Sequence, residues 1–285
     1  EKACHSSFFQ TMVTPPLDFR TSRIRASSIS DLNTSGERSA EKRRGTVTGS
    51  LMMSTRKGGP KFGWYQITEK SINVDVLGLE AELAPSRCYC IAVVYAKAGQ
   101  TSEQEMYRNE CSTAFEKFLD ILGDKIEIRG WSGFRGGFDT TSGNGVTFYT
   151  SWRGFEIMYH VVPFLQQDQV RRLVGNDKAI IYFQEETAFV PNFRSDVNSI
   201  GVVVQPCTSG GNTGYLVGAF TRPNVKTFHP SLPSAPITNR KKLKDLLIST
   251  AISGIEATNK SPPFVFLYAN RWKEALDGLL NKYPK

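Results

Sequence analysis

From Phe62 onward the chain alternates between apolar runs of strand length and stretches with helical spacing. Cys90–Tyr95 is a continuous apolar, β-branched run, the pattern of a strand buried on both faces. Val146–Trp152 and Phe155–Val162 read as a strand pair, and Ala179–Gln184, Ser199–Gln205 and Tyr215–Thr221 as further strands. Lys125–Arg129 alternates as a strand, and Phe62–Ile67 and Ser71–Val76 read as short ones. Thr101-Ser102 caps a helix predicted to run to about Leu122, with Glu103 and Glu105 in the first turn, where the helix dipole favours acids. Phe115, Phe118, Leu119 and Leu122 recur at i, i+3, i+4 and i+7 and mark its buried face; Gly123 ends it. Gln166–Val174, Lys241–Ala257 and Phe266–Leu280 are the other predicted helices, and a Pro-rich loop covers Arg222–Pro236. Helices interleaved with long apolar strands predict an α/β domain: a central mixed β-sheet flanked by helices.

Residues 1–60 break this pattern. From Thr21 to Gly59 the chain is rich in Ser, Thr, Arg and Gly and has no aromatic residue. Such a stretch cannot bury enough apolar surface to offset its ordering entropy, so disorder is expected. The organisation predicted is therefore an N-terminal arm or linker over 1–60 and one domain over 61–285, with 61–90 as a candidate remnant of an N-terminal subdomain. Within the arm, Arg23-Ile-Arg25-Ala-Ser27-Ser28 places basic residues upstream of serines, as basophilic kinases prefer, so Ser27 and Ser28 are candidate phosphorylation sites.

Composition narrows the class. No apolar run approaches the roughly 18–20 residues a membrane span needs, and the polar start with Pro15-Pro16 is not a signal peptide. The five cysteines are odd in number and scattered, which fits reduced thiols and a cytoplasmic setting better than a disulfide framework or a zinc site. The net charge of +8 suits an acidic partner, but the basic residues form no single patch in sequence and no nucleic-acid-binding signature is present. The chain has no Gly-x-Ser-x-Gly, the motif of a serine nucleophile, and no Gly-x-x-x-x-Gly-Lys-Ser/Thr, so it is not itself a P-loop nucleotide hydrolase. Its histidines are His5, His160 and His229, and His160 has no metal-ligand neighbour in sequence.

One segment remains: Arg171-Arg172-Leu-Val-Gly175-Asn176-Asp177-Lys178. Taken alone it is an ordinary helix end, with cations in the last turn and Gly-Asn as a stop before the Ala179 strand. A carboxamide can also orient a water molecule beside a phosphate, because it offers both a donor and an acceptor.

Several stretches, in order, are similar to the catalytic region of the Rap GTPase-activating proteins, a family that includes the Ral and tuberin (Rheb) activators. They are Ile91–Tyr107, Ala114–Gly123, Gly133-Phe-Arg-Gly-Gly-Phe-Asp139, Glu156–Val161, Gly175-Asn176-Asp177, Phe183–Pro191 and Val202–Gln205. The resemblance spans roughly Ile91–Leu280. It implies a G-domain-like α/β fold that binds no nucleotide, with GTP and Mg²⁺ held by the partner, a Ras-like small GTPase: Rap first, then Rheb or Ral. Asn176 matches the family's asparagine thumb, which enters the partner's nucleotide site and positions the attacking water. His160 and Arg172 match positions that support the thumb or the partner contact, and Arg171, Gly175 and Asp177 flank them. A cytoplasmic protein recruited to membranes by its GTPase or by other parts of the parent protein is the implied setting. Two departures stand out. Leu173 takes the place of the histidine in the family's Arg-His-Ile-Gly-Asn-Asp, and Pro163–Arg171 is short. They keep open a second reading, a GTPase- or partner-binding module of the same fold that is catalytically weak or inactive.

Overall fold

The computed structural model describes residues 74–79, 86–100, 102–186, 193, 195–209 and 211–282. The expected strand Phe62–Ile67, the stretch Thr21–Gly59 and Ser27 and Ser28 lie outside them. The described residues fall into two compact units, one holding 86–269 and the other 74–79 and 270–282.

The larger unit is built on seven strands: β1 (Cys88–Ala96), β2 (Asp124–Glu127), β3 (Val146–Trp152), β4 (Phe155–Val161), β5 (Ala179–Gln184), β6 (Ile200–Ser209) and β7 (Asn212–Thr221). Their order is β2-β3-β4-β1-β5-β6-β7. The central strands β4, β1, β5 and β6 are parallel, and β2, β3 and β7 run antiparallel to their neighbours. This is the mixed sheet that the pattern of apolar runs predicts.

The continuous apolar run of β1 is explained by helices on both faces. Ile91, Val93 and Tyr95 enter one core with Phe115, Phe118 and Leu119 of α3 (Thr113–Leu122) and Leu243, Leu247 and Ile248 of α5 (Arg240–Asn259). Ala92, Val94 and Ala96 enter a second core with Met106 of α2 (Glu103–Met106) and Val170 of α4 (Gln167–Leu173). The first core includes a stacked pair, Phe118 on Phe183, at 4.8 Å between ring centres. Among the described residues no helix is long and apolar enough to cross a membrane, and Cys88, Cys90, Cys111 and Cys207 are all free thiols.

Two elements differ from the sequence expectation. The helix predicted from Thr101-Ser102 to Leu122 is two helices. Ser102 does cap α2, with a reciprocal bond from Glu105, but the chain then turns at Asn109. The Asn109 amide donates to the Tyr95 carbonyl at 2.7 Å and exchanges bonds with the Gln100 side chain. Ser112 then caps α3 by accepting from the Phe115 N–H at 3.1 Å. A carboxamide that satisfies a strand-end carbonyl outcompetes helix continuation, since a buried unpaired carbonyl is costly. The expected strand Ser71–Val76 is helical where it is described, as α1 (74–79). Its Val-x-Val alternation is too short to separate the two periods, since Val74 and Leu77 also lie one helical turn apart. In the same unit, Lys282 at the end of α6 (Phe264–Lys282) donates to Asp75 at 2.6 Å.

Gly123 ends α3 as expected, for a different reason. Its φ of −177° is extended backbone open to any residue. A Cβ there, however, would lie 2.3 Å from the Tyr149 carbonyl oxygen of β3. Gly123→Ala is therefore expected to destabilise the protein by about 1–3 kcal/mol through overpacking, read as a lower Tm in a thermal melt. An unchanged Tm would show that β3 yields at no cost.

Candidate functional site

The segment Arg171–Lys178 lies in the connection from β4 to β5. After β4 comes a 3-10 turn (Val162–Phe164), with Pro163 in the first turn, where its missing N–H costs nothing. The short helix α4 opens with the Gln166 N–H donating to the Gln169 side chain at 3.0 Å. Val170, Leu173 and Val174 recur at i, i+3 and i+4 and are buried, which turns Arg171 and Arg172 out to solvent. Leu173 packs in a small core with Ile128, Phe138 and Met158. The departure from the resemblance at this position thus falls on the inner face of α4.

The helix does not stop at Gly175-Asn176. A 3-10 turn, Val174–Asn176, carries it on, and neither residue takes the left-handed backbone of a helix-stop motif. Nothing lies within 4 Å of where a Gly175 Cβ would stand, so neither the turn nor the packing of this chain demands glycine there. Asn176 is exposed at the tip. Its Nδ2 donates to the Arg172 carbonyl at 2.6 Å. Giving up that bond costs on the order of 0.5–1.5 kcal/mol, a small sum for an amide that must turn outward.

Beneath the exposed tip lies a buried ion pair. His160, at the end of β4, and Asp177 are 2% and 3% exposed, with Nδ1 and Oδ2 2.7 Å apart. The other ring nitrogen, Nε2, is 2.7 Å from the Gly136 carbonyl oxygen. With Asp177 as a carboxylate both nitrogens face acceptors, so both carry hydrogen and the ring is an imidazolium. Burial pulls the His160 pKa down, but the Asp177 carboxylate outweighs it and holds the group up at about 10. Burial pushes the Asp177 carboxyl up, against the pull of His160. We assign the pair as ionised, because the charge on each group offsets the cost of burying the other. Cys90 Sγ adjoins the pair, and the three residues offer ligand atoms within 4.8 Å of one another. Both His160 nitrogens are already bonded, so this cluster is a structural pair and not an open cation site.

Three residues that the sequence analysis did not single out hold the turn from its other side. Asn198, itself buried, donates through Nδ2 to the carbonyls of Val174 at 2.9 Å and Asp177 at 2.6 Å. Ser195 donates to the Gly175 carbonyl at 2.5 Å. Arg222 fixes both, donating to the carbonyls of Asn198 and Ser195 at 2.7 and 2.8 Å. Lys178, next along the chain, is anchored too. Its ammonium donates to Asn259 and to the Tyr268 hydroxyl, and lies 4.6 Å from the Phe264 ring centre. No local motif marks Asn198 or Ser195, since they lie in a polar loop before β6. Their role arises only where three loops meet.

The structure thus brings together Gly175, Asn176, Arg171 and Arg172 at an exposed tip, and places His160 and Asp177 underneath it rather than on its surface. Asn176, Gly175 and Arg171 also border a groove of about 790 Å³. An exposed carboxamide on a braced turn, flanked by two cations, can orient a water or a phosphate oxygen on another molecule.

The family model described as Rap/ran-GAP matches residues 106–274. The chain is 35% identical over 235 residues to a chicken (Gallus gallus) protein named GTPase-activating Rap/Ran-GAP domain-like protein 3, covering 77% of this chain and 25% of that protein. It is 34% identical over 235 residues to rat (Rattus norvegicus) signal-induced proliferation-associated 1-like protein 2, covering 76% of this chain and 13% of that protein. The chain therefore spans a quarter or less of the length of these two relatives. Among solved structures, that of the TSC2 GAP domain has a similar fold, with a TM-score of 0.50 and 21% identity, covering 60% of this chain and 99% of that one.

Proposed function

The chain belongs to the Rap/Ran-GAP family, and on that premise we propose that it activates GTP hydrolysis by a Ras-like small GTPase, supplying Asn176 in trans. The observation that carries the reading is the exposed Asn176 carboxamide on a turn whose neighbouring carbonyls, Val174, Gly175 and Asp177, are each fixed by a side chain from another segment. GTP and Mg²⁺ belong to the partner. Asn176 turns outward from the Arg172 carbonyl, enters the partner's nucleotide site and orients the attacking water through its paired donor and acceptor. Arg171 and Arg172 act in association, because exposed cations beside the tip attract an acidic, phosphate-bearing partner. His160 and Asp177 seat the turn. Rap is the partner of first choice, then Rheb or Ral.

The test is single-turnover GTP hydrolysis by Rap, Rheb and Ral with and without the protein. Acceleration of at least one is expected; none with any of the three would remove the reading. The alternative of an inactive module draws no support from Leu173, whose side chain points into the core.

Gly175 provides a separate check. Its backbone lies outside the left-handed region and its Cβ position is open. Gly175→Ala should therefore leave the Tm unchanged or raise it, since replacing glycine at a compatible site stabilises by about 0.4–1 kcal/mol. Acceleration should nevertheless fall by about tenfold or more, because a methyl group would stand where the partner closes on the thumb. A folded Gly175→Ala protein with full acceleration would show that the partner does not approach there.

A further inference from the structure

The groove beside Asn176 has a second wall that the sequence assigns no role. On one side stand Val170 and Arg171 of α4; on the other stand Tyr107 and Arg108, which follow α2. The two sides are held at a fixed spacing, because Met106 and Val170 share one buried core. Arg108 is exposed, as Arg171 is, and neither has an ion-pair partner among the described residues. The acid lining the groove, Glu103, is 5% exposed, and its two carboxylate oxygens accept the hydroxyls of Tyr107 at 2.8 Å and Tyr182 at 3.1 Å. It is engaged from within and does not pair with either arginine at the rim. The groove therefore presents cations on both walls, contributed by segments far apart in the sequence.

We infer that this groove receives an acidic segment of the partner GTPase, with Arg108 and Arg171 as its two cationic walls. The inference rests on the function proposed above and extends it to α2. Asn176 stands on the rim of the same groove, so whatever molecule receives Asn176 also covers the groove. Two opposed cations favour an acidic segment over a neutral or basic one, and exposed charges at a rim act on association and its salt dependence more than on chemistry. Arg108 would thus help to choose the partner, while Asn176 serves the reaction.

The experiment uses the full chain with Rap, and with Rheb and Ral in parallel. Binding is measured with each GTPase loaded with a non-hydrolysable GTP analogue, and turnover with GTP. Arg108→Glu is expected to raise the concentration for half-maximal acceleration by about tenfold or more, leaving the rate at saturation within about twofold. Arg108→Lys should retain most of the affinity, and Arg108→Gln should show a shallower loss of affinity with rising salt. Lys241→Glu, an equal charge change on the exposed side of α5, should do nothing. Unaltered half-saturation in Arg108→Glu, with Asn176→Ala inactive, would overturn the groove and leave the catalytic reading standing. Binding that is lost in Arg108→Glu, by a wild type that does not accelerate hydrolysis, would uphold the groove and remove the catalytic reading. A wild type that binds none of the three GTPases would overturn the groove as well.

Discussion

Asn176→Ala is expected to abolish stimulated GTP hydrolysis while the protein stays folded and still binds its GTPase. Phosphoryl transfer in these switches depends on placing the water and stabilising charge, and a carboxamide supplies the first. Its loss should slow the stimulated reaction by on the order of 10²-fold or more, about 3 kcal/mol of barrier. The side chain is exposed, and its one hydrogen bond is to a carbonyl within its own helix end. The Tm should therefore hardly change. Asn176→Gln should fail almost as badly, because an added methylene moves the amide by about a bond length where misplacement is costly. Single-turnover hydrolysis at saturating activator measures the effect, with the melting temperature as control. Wild-type acceleration by a folded Asn176→Ala protein would remove the thumb role and leave a binding module.

The opposite behaviour is expected one residue on. Asp177→Ala should destabilise the fold, since it leaves a buried imidazolium without its counter-charge. Removing one partner of a buried ion pair typically destabilises by about 3–5 kcal/mol. His160→Ala should do the same by stranding the carboxylate. The resemblance alone suggests that His160 merely steadies the thumb; its burial makes it a stability residue first. Chemical denaturation separates the cases, with a large fall in midpoint for Asp177→Ala and almost none for Asn176→Ala. The pH dependence follows from the sign of the shifts. His160 is raised from its ordinary value of 6.5 to about 10, so its contribution is complete below 6.5 and is lost as pH rises through about 10. Asp177 is also raised, so its ionisation in the fold works against stability as pH rises. The wild type's advantage over Asp177→Ala should hold through neutrality and shrink as pH passes about 10. Equal midpoints for the two proteins at neutral pH would show that the pair contributes nothing.

Much of the fold is legible in the sequence, because the strands carry their own evidence. The run Cys90–Tyr95 is apolar at every position, and that pattern survives only where both faces are covered, as α3 and α5 on one side and α2 and α4 on the other cover them. The faces of α3 and α4 are equally plain from their spacing. The break at Asn109 is not, since it depends on a carbonyl at the end of β1 that only the folded chain brings near. The helix at 74–79 is missed for a simpler reason: an alternation of a few residues fits either period.

The candidate site divides in the same way. Arg171, Arg172, Gly175, Asn176 and Asp177 are readable as one segment, because they fall within seven residues and their order resembles that of a known family. His160 is readable on a strand that precedes them. Which of these face solvent and which face the core depends on packing between distant segments. The i, i+3, i+4 burial of Val170, Leu173 and Val174 turns the arginines outward, while the His160–Asp177 pair goes under the turn. That packing alone brought Asn198, Ser195 and Arg222 to the carbonyls around Asn176, and Arg108 to the groove beside it. A local pattern records which face of an element is buried. Hydrogen bonds and charge pairs between distant segments leave no such periodic mark, because any polar residue in a loop can make them once the sheet has set the distances.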